Sequence, residues 1–270
     1  HSRGRLCVLS GPAGASGAAR LSAAAGLVSG AGFVTLLCPP DALQEAAAER
    51  SIVTLSFDPH ADFATVLADH RAGAAVLGPG AGVGEATRAR VLSALGAAAP
   101  VVLDADALTS FAKDPAVLFA GLEGPAVLTP HAGEFQRLFP DLAEREDLNK
   151  IEITRQAARR AGAVVVHKGP DTVIAAPDGR VRVNVHASPR LATAGTGDLL
   201  AGLIGAHLVG GAEPFDAASA AVWVHGEAGR RCGPGATVET VLAALPGALA
   251  ALRGLRERQA VRAALTGAAR

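Results

Sequence analysis

Short apolar runs recur along the first two thirds of the chain, and segments of helical character separate them. Strands that are buried on both faces of a parallel sheet read as continuous apolar runs, and helical crossovers join them. We predict such strands at Arg5–Ser10, Phe33–Leu37, Ser51–Ser56, Ala74–Gly78, Val101–Asp104, Ala126–Pro130 and Ala163–Gly169. The pattern therefore predicts an α/β fold, a three-layer α/β/α sandwich with a mostly parallel central sheet.

The remaining pattern predicts helices and one hairpin. Helices are expected at Ala18–Ser29, after Asp41, and at Ala61–Asp69, Glu85–Ala97, Asp147–Ala161, Leu199–Leu208, Ala217–Arg231 and Val238–Leu252, with Arg253–Arg270 as a further helix or a frayed end. The turn signal Pro177-Asp178-Gly179 joins Thr172–Ala176 to Arg180–Val185 as an antiparallel hairpin. No linker or repeat interrupts the pattern, so we expect one domain over residues 1–270.

Composition narrows the choice of partner. The 25 basic and 25 acidic residues balance without long runs of either sign, which argues against a nucleic-acid or membrane-surface protein. Cys7, Cys38 and Cys232 are widely spaced and odd in number, which favours free thiols in a reducing compartment. Neither a secretory signal nor an uninterrupted apolar span is evident, so we expect a cytoplasmic protein. A chain that begins with His1 and contains no Met is expected to be processed, trimmed or excised from something longer.

Polar and glycine-rich clusters follow the predicted strands at six places. The clusters are Gly14–Ala19, Gly78–Gly82, Asp104–Asp106, Thr129–Glu134, Lys168–Thr172 and Ala194–Asp198. Because ligands bind at the carboxyl ends of the strands in open parallel sheets, these clusters predict a single site along that edge.

The last cluster combines a glycine-rich turn with one carboxylate. Gly195 and Gly197 flank Thr196, so the turn can bring its N–H groups close to a ligand at the start of a helix. Helix N-termini attract phosphates and oxyanions, and Asp198 beside such a site could take a proton from a hydroxyl. The alternative is that Asp198 is only an N-cap and the glycines only a tight turn.

Three other clusters carry candidate chemistry. Lys168 could direct its charge at a phosphate or be a solvated loop lysine. Asp104 could orient a magnesium-bound water or cap a helix that begins at Asp106. His131 could bind a ligand or be satisfied by backbone groups at a helix start. His131 and Glu134 stand three residues apart, but no third ligand lies nearby in the sequence, so no dedicated metal cluster is expected.

Three common catalytic motifs are missing from the sequence. It contains no GxxxxGK[ST], no GxGxxG after the first strand and no GxSxG. A P-loop, a dinucleotide-binding Rossmann fold and a hydrolase elbow are therefore not supported, and a phosphate-handling site must use another arrangement.

Taken in order, the motifs resemble those of the NAD(P)H-hydrate dehydratase family, whose fold is ribokinase-like. They are GPG-x-G at Gly78–Gly82, LDADAL at Leu103–Leu108, LTPH-x-GEF at Leu128–Phe135, KGPDT at Lys168–Thr172 and AGTGDLLAG at Ala194–Gly202. The resemblance covers nearly the whole chain, and TPH-x-GEF together with GPG-x-G and KGxxT is far more specific than GTGD alone.

The resemblance implies repair of hydrated nicotinamide cofactors. Such enzymes use ADP or ATP with Mg²⁺ to dehydrate (6S)-NADHX or (6S)-NADPHX to NADH or NADPH, with release of phosphate. By resemblance, Ala18, Gly82, His131 and Asp198 would contact the hydrated dinucleotide, and Lys168, Gly169, Pro170, Asp171, Thr172 and Gly197 would hold the adenine nucleotide. Asp198 would be the catalytic base, and the Gly195-Thr196-Gly197 turn would stabilise charge on the transferred phosphoryl group.

The resemblance also implies a homo-oligomer that is fused to, or acts with, an NAD(P)HX epimerase. One stretch departs from the family pattern, because Asn184–Arg190 stands where members usually have an Asn-rich, glycine-containing segment. Two other functions stay open: a small-molecule kinase of the same fold, acting on a hydroxymethylpyrimidine or hydroxyethylthiazole, and a nucleotide-binding module without turnover.

Overall fold

One nine-stranded sheet forms the centre of the protein. The structure is a computed structural model, and it describes residues 3–47 and 51–266. The strands are β1 (Arg5–Leu9), β2 (Phe33–Cys38), β3 (Val53–Ser56), β4 (Ala74–Leu77), β5 (Val101–Leu103), β6 (Ala126–Leu128), β7 (Val164–His167), β8 (Thr172–Ala175) and β9 (Val181–Asn184). Their order is β3-β2-β1-β4-β5-β6-β7-β8-β9. All pairs from β3 to β7 are parallel, and β8 and β9 form the predicted antiparallel hairpin.

The strand order reverses between β1 and β4. The chain builds β1, β2 and β3 outwards in one direction and then returns to place β4 on the other side of β1. The loops that follow these two strands touch, since a Cβ at Gly11 would overlap the carbonyl of Gly80. Such a reversal opens a crevice beyond the carboxyl ends of the strands, where ligands of this fold class bind.

Twelve α-helices surround the sheet in the described residues. They are α1 (Ser16–Val28), α2 (Leu43–Ala46), α3 (Phe63–Asp69), α4 (Glu85–Leu95), α5 (Asp106–Thr109), α6 (Pro115–Gly121), α7 (Ala132–Leu138), α8 (Pro140–Ala143), α9 (Lys150–Ala161), α10 (Thr196–Val209), α11 (Pro214–Arg231) and α12 (Val238–Thr266). Short 3-10 helices lie at Pro40–Ala42 and Pro189–Leu191.

Two separate hydrophobic cores confirm the three-layer sandwich. Side chains alternate across β1, so that Leu6 and Val8 enter one core while Cys7 and Leu9 enter the other. Helices α1, α2, α10, α11 and α12 cover the first face, and α3 to α9 cover the second.

Helices α1 and α10 pack at close range on the first face. A Cβ at Gly202 in α10 would overlap the carbonyl of Ser22 in α1, so only glycine permits this approach. The Ser22 hydroxyl donates a hydrogen bond of 2.8 Å to the carbonyl of Asp198. The first turn of α10 is therefore fixed against α1 at the carboxyl edge of the sheet.

Several helix boundaries differ from the sequence prediction. Helix α10 begins at Thr196 with Gly195 as its N-cap, so the alternative reading of Asp198 as the N-cap is wrong. Ala105 occupies the cap position before α5, so Asp104 is not a cap either. The predicted tail helix continues α12 as far as Thr266, and residues 267–270 lie outside the described part of the chain.

Helix α12 contains the single stretch of the described residues, Val238–Leu255, that is long and apolar enough to cross a membrane. Only 17% of this stretch is buried, and its residues Val241, Leu245 and Ala248 pack into the first core. Pro246 lies inside the helix without ending it.

Candidate active site

A cluster of buried charges lies where β5, β6 and β7 end. The Lys168 ammonium lies 2.7 Å from Oδ1 of Asp104 and 3.9 Å from Oε2 of Glu134. The Asp104 and Glu134 side chains are only 2% and 6% exposed, and that of Lys168 is 20% exposed. Burial opposes the charge on Lys168, but the carboxylates of Asp104 and Glu134 outweigh it and raise the pKa of Lys168. The lysine therefore stays charged at neutral pH.

The first turn of α10 brings Asp198 to this cluster. A Cβ at neighbouring Gly197 would lie 3.5 Å from the Lys168 ammonium. Burial, together with the charge of Asp104, raises the pKa of Asp198 to about 7, although Lys168 opposes the shift. An aspartate that titrates near neutral pH can accept a proton from a substrate hydroxyl. We call Asp104, Glu134, Lys168 and Asp198 the charged end of the site.

The charged end carries more negative than positive charge. Burial and the neighbouring Asp104 raise the pKa of Glu134, although Lys168 opposes this. Three carboxyl groups surround one ammonium, and this surplus suits a divalent cation that arrives with a nucleotide. No group of three or more His, Cys, Asp or Glu residues is placed to hold a metal in residues 3–47 and 51–266. The surplus of carboxylates fits Mg²⁺, which proteins commonly bind through one or two carboxylates together with phosphates and water.

A cavity of about 540 Å³ opens beside the charged end. Five of the six residues predicted to bind the nucleotide line it, namely Lys168, Gly169, Pro170, Thr172 and Gly197. The sixth, Asp171, is not among the lining residues and instead forms a 2.9 Å ion pair with Lys150. The structure therefore brings together most of the residues predicted to bind the nucleotide.

The rest of this cavity is mainly apolar. Leu191 from the connection between β9 and α10 and Leu200 and Val222 from α10 and α11 line it together with Pro170. We call Pro170, Leu191, Leu200 and Val222 the apolar end of the site. A flat, largely apolar base such as adenine suits a surface of this kind.

The predicted oxyanion turn of Gly195, Thr196 and Gly197 is the beginning of α10. Gly195 adopts the left-handed conformation with a φ of 89°, which turns the chain into the helix. The Thr196 N–H donates to the Thr193 carbonyl at 3.5 Å, whereas the N–H groups of Gly197 and Asp198 belong to the first turn, so no carbonyl of the helix accepts from them. These donors and the helix dipole favour an anion at the cavity edge.

The three other residues predicted to contact the substrate lie along the same edge. Ala18 lies beside the glycine loop after β4, since its Cβ would be 3.5 Å from a Cβ at Gly80. Gly82 faces open space, and its N–H donates a 2.9 Å hydrogen bond to Asp106. His131 is half exposed and caps α7, because its Nδ1 accepts from the N–H groups of Gly133 and Glu134. Substrate contacts by Ala18, Gly82 and His131 stay predictions.

Glu134 completes a capping box with His131. The Glu134 carboxylate accepts a 2.8 Å hydrogen bond from the His131 N–H, and its other oxygen lies 3.4 Å from Nε2 of His131. The alternative considered for His131, a helix-start residue satisfied by backbone groups, is confirmed, and its side chain is 56% exposed. The capping-box spacing was visible in the sequence, whereas the approach of Glu134 to Lys168 was not.

Residues 184–190, which depart from the family pattern, form one wall of the cavity. Asn184, Ala187, Ser188 and Pro189 line it. His186 fixes this wall to α11, because its Nε2 lies 2.9 Å from the Glu227 carboxylate and its ring stacks on Trp223.

The cavity residues of α11 were not predicted from the sequence. Val222, His225 and Gly226 line the cavity from the middle of a helix that carries no motif. A helix interior that contributes to a pocket leaves little local signal, because its pattern reads only as a core-facing stripe.

Known proteins match this chain over most of its length. The family model for NAD(P)H-hydrate dehydratase matches residues 6–246. The bifunctional NAD(P)H-hydrate repair enzyme Nnr of Gloeobacter violaceus is 40% identical over 236 residues, which are 85% of this chain and 45% of that protein. The ADP-dependent (S)-NAD(P)H-hydrate dehydratase of Neisseria meningitidis is 36% identical over 83% of this chain and 76% of that protein.

A solved structure extends the match to the fold. The ADP/ATP-dependent NAD(P)H-hydrate dehydratase from Bacillus subtilis, co-crystallised with ATP/Mg²⁺ and soaked with CoA, superposes with a TM-score of 0.80 at 28% identity. It covers 92% of this chain and 91% of its own, and the shared fold is the expected ribokinase-like sandwich. The chain spans a little under half the length of the bifunctional relatives that it matches. Since the family model matches from β1 into α12, with the glycine turn and the strand-end charges inside the match, the chain belongs to the NAD(P)H-hydrate dehydratase family.

Proposed function

We propose that this chain dehydrates (6S)-NADHX and (6S)-NADPHX to NADH and NADPH at the expense of ADP or ATP, with release of phosphate. The observation that carries the proposal is the position of Asp198, in the first turn of α10 beside Lys168 and at the edge of the nucleotide-sized cavity. Family membership and the activities named for the Neisseria meningitidis and Bacillus subtilis relatives support it.

In the proposed mechanism, Asp198 starts the reaction. Hydroxide is a poor leaving group, so the ring hydroxyl is first phosphorylated. Asp198 takes the hydroxyl proton while the oxygen forms a bond to the terminal phosphorus and the bond from that phosphorus to the nucleotide breaks. The ring nitrogen lone pair then expels phosphate by breaking the carbon–oxygen bond, and loss of a proton from the neighbouring ring carbon completes the double bond.

We propose that the neighbours of Asp198 stabilise the negative charge on the transferred phosphoryl group. Lys168 supplies a fixed positive charge on one side, and the N–H groups of the α10 first turn supply aligned donors on the other. The charge surplus around Asp104 and Glu134 fits a Mg²⁺ ion, which would shield the nucleotide phosphates. The apolar end would hold the adenine base.

The same proposal extends to the partners. The bifunctional relatives are about twice as long as the part matched here, so the remainder of such a protein could carry the second activity, which we propose to be an epimerase. A homo-oligomer in the cytoplasm stays our prediction from the resemblance.

Recovery of NADH absorbance from a prepared NADHX mixture tests the proposal. The assay contains Mg²⁺ with ADP or ATP in parallel, and it compares the parent with Asp198→Asn and with a control, Asp141→Asn. Asp141 is an exposed aspartate that pairs with Arg160 on α9, and it does not line the cavity. We expect nucleotide-dependent recovery in the parent and the control and a loss of about 10³-fold in Asp198→Asn.

The alternatives predict other outcomes. A small-molecule kinase would leave a stable phosphorylated product, visible by phosphorus NMR, and would not restore NADH. A module without turnover would bind ADP and convert neither NADHX nor the hydroxylated heterocycles. Either result, from folded parent protein, would overturn the dehydratase proposal.

A further inference from the structure

Residues 186–191, which we call the wall segment, form a side of the cavity that their own backbone does little to hold in place. The members of the wall segment that line the cavity are Ala187, Ser188, Pro189 and Leu191. The backbone hydrogen bonds of the segment are local, because the Leu191 N–H donates to the Ser188 carbonyl and the Ala192 N–H donates to the Pro189 carbonyl. Within residues 3–47 and 51–266, no backbone hydrogen bond joins the wall segment to the sheet or to α11. Its position therefore depends on side-chain contacts.

Two glycines of α11 receive the wall segment. A Cβ at Gly226 would lie 2.7 Å from the His186 carbonyl oxygen, and a Cβ at Gly229 would lie 2.6 Å from Cγ of Leu191. Glycine inside a helix is unfavourable relative to alanine, so two glycines three residues apart need a reason in packing. The close approach of the wall segment to α11 supplies that reason.

The His186 side chain attaches the wall segment to α11 through both ring nitrogens. Its Nε2 lies 2.9 Å from Oε2 of Glu227, and Nη1 of Arg230 lies 3.3 Å from its Nδ1. The ring also stacks on Trp223, with the two ring centroids 5.1 Å apart. A guanidinium group can only donate, so Nδ1 accepts, and Nε2 carries the hydrogen that Glu227 accepts.

Glu227 is itself fixed by a second partner on α11. Its other oxygen, Oε1, lies 3.0 Å from Nε and 2.9 Å from Nη2 of Arg231. Burial disfavours the charge on Glu227, but the hydrogen bonds from His186 and Arg231 outweigh it and lower the pKa of Glu227. The acceptor for His186 is therefore a charged carboxylate, and hydrogen bonds to charged groups contribute more than those between neutral groups.

We propose that His186 is a positioning residue of the nucleotide cavity: its hydrogen bond to Glu227 holds the wall segment on α11, and the held segment completes the surface on which the nucleotide base binds. Without that bond, the segment leaves α11 for part of the time. The apparent dissociation constant for the nucleotide then rises in inverse proportion to the fraction that is still in place. The charged end takes no part in this contact, so the chemical step should be unaffected. The inference rests on the proposed function for the identity of the ligand, an adenine nucleotide.

Two substitutions of similar chemistry separate this hydrogen bond from the loss of the ring. The amide nitrogen of His186→Gln reaches the place of Nε2 and can donate to Glu227, whereas the side chain of His186→Asn is one carbon shorter and cannot reach it. By isothermal titration calorimetry, we expect the dissociation constant for ADP to rise about tenfold in His186→Asn and to stay within about threefold of the parent in His186→Gln. The kcat at saturating ADP should stay within about twofold of the parent in both variants.

Arg182→Ala is the matched control. The ion pair of Arg182 with Asp216, at 2.6 Å, also joins β9 to α11, but neither residue lines the cavity. The dissociation constant for ADP should therefore not change in this variant. Glu227→Ala should weaken ADP binding as His186→Asn does, and the double variant should bind ADP no more weakly than Glu227→Ala alone, because both changes remove the same contact.

Trp223 reports the position of the wall segment without turnover or nucleotide. It is the only tryptophan of the chain, and the His186 ring covers one of its faces. Because His186→Gln and His186→Asn both lack that ring, a difference between them in acrylamide quenching reports the attachment of the segment and not the loss of stacking. We expect stronger quenching in His186→Asn than in His186→Gln.

Equal dissociation constants for ADP in the Asn and Gln variants would overturn the inference, and so would equal quenching or a loss of kcat at unchanged ADP affinity. If His186→Asn does not fold, Glu227→Ala provides the same comparison with His186→Gln. A parent that binds ADP but restores no NADH would overturn the proposed function alone, and the ADP affinities of the variants would still decide the role of His186.

Discussion

The two ends of the candidate site are built in opposite ways. At the charged end, Asp104, Glu134, Lys168 and Asp198 come from four separate segments of the chain and are held against the cost of burying charge. At the apolar end, Leu191, Leu200 and Val222 come from α10, α11 and the connection just before α10, and burial of such side chains is favourable in itself.

This difference separates two kinds of contribution. Buried charges that lie near one another shift each other's pKa values. Groups with shifted pKa values are typical of catalytic positions. Apolar walls contribute binding that is the same in the ground state and the transition state. Substitutions at the charged end should therefore change kcat, and substitutions at the apolar end should change the KM for the nucleotide.

The largest effect should follow from Lys168→Met. The change removes the ammonium that pairs with Asp104 and lies near Glu134. With it goes the positive charge that we propose acts on the nucleotide phosphates. We expect kcat to fall by about 10³-fold, the upper range for loss of a transition-state charge contact. Steady-state recovery of NADH with saturating ADP measures it.

Lys150→Met is the matched control. Lys150 is as buried as Lys168 and also pairs with an aspartate at the same rim, but its partner Asp171 does not line the cavity. We expect less than about tenfold loss from this change. Comparable losses of kcat in both variants would mean that the effect comes from removing a buried lysine at this rim. It would then not depend on the position of Lys168 in the charged end.

Most of the fold and much of the charged end could be predicted from the sequence. Unalternating apolar strands predicted the parallel sheet, and a Pro-Asp-Gly turn predicted the β8–β9 hairpin. Asp104, Lys168 and Asp198 each follow a strand or a glycine turn, so the rule that strand ends share an edge was enough to group them. The short helices α6 and α8 were not predicted, because seven- and four-residue helices have too few turns to show a period.

The apolar end could not be predicted in the same way. Val222 and His225 lie in a helix whose pattern reflects packing against the sheet, and Leu191 follows a segment without regular pattern. Which face of α11 meets residues 187–192 depends on contacts distant in sequence, such as the His186–Glu227 pair. The resemblance assigned Pro170 of this end to the nucleotide through KGPDT but gave no role to Leu191, Leu200 or Val222.

Asp198→Asn should stabilise the protein at alkaline pH. Burial and Asp104 raise the pKa of Asp198 from its ordinary 3.8 to about 7, so between those values the folded state holds a proton that the unfolded state has lost. The free energy of unfolding therefore falls as pH rises through this window. An asparagine does not ionise, so the variant does not show this loss. We expect a gain of about 2 kcal/mol at pH 8 and none below about pH 4, by urea denaturation.

Asp141→Asn gives the opposite sign and serves as the control. Hydrogen bonding from Arg160 lowers the pKa of Asp141, so its charge is favoured in the folded state, and the asparagine should gain nothing at pH 8. If Asp198→Asn is less stable than the parent at pH 8, the charged Asp198 carboxylate stabilises the folded protein. That result would contradict the raised pKa on which the description of the charged end depends.

A smaller effect is expected from Leu191→Ala at the apolar end. Truncation removes part of the wall beside the proposed adenine position, which should raise the KM for ADP about fivefold with kcat unchanged, for a loss of about 1 kcal/mol. Leu92→Ala on α4, an exposed leucine that is absent from the cavity lining, should leave both constants unchanged. A fall in kcat without a change in KM would mean that the apolar end contributes to the chemical step and not to nucleotide binding. The two ends would then not differ in the way described.

The smallest predicted effect concerns the pH profile of Glu134→Gln. Burial and Asp104 account for most of the raised pKa of Asp198, and the Glu134 charge adds a lesser part. Glutamine keeps an oxygen that can accept from the His131 N–H, so the cap on α7 should survive while the charge is lost. If Asp198 must be ionised to act as a base, kcat/KM rises with pH through its pKa, and this rise should move to lower pH by about half a unit in the variant. Profiles of the parent, Glu134→Gln and the exposed control Glu144→Gln between pH 5 and 9 would show it. A rise that stays in place or moves to higher pH would mean that Asp198 does not sense the charges around it, and the coupling that distinguishes the charged end from the apolar end would be absent.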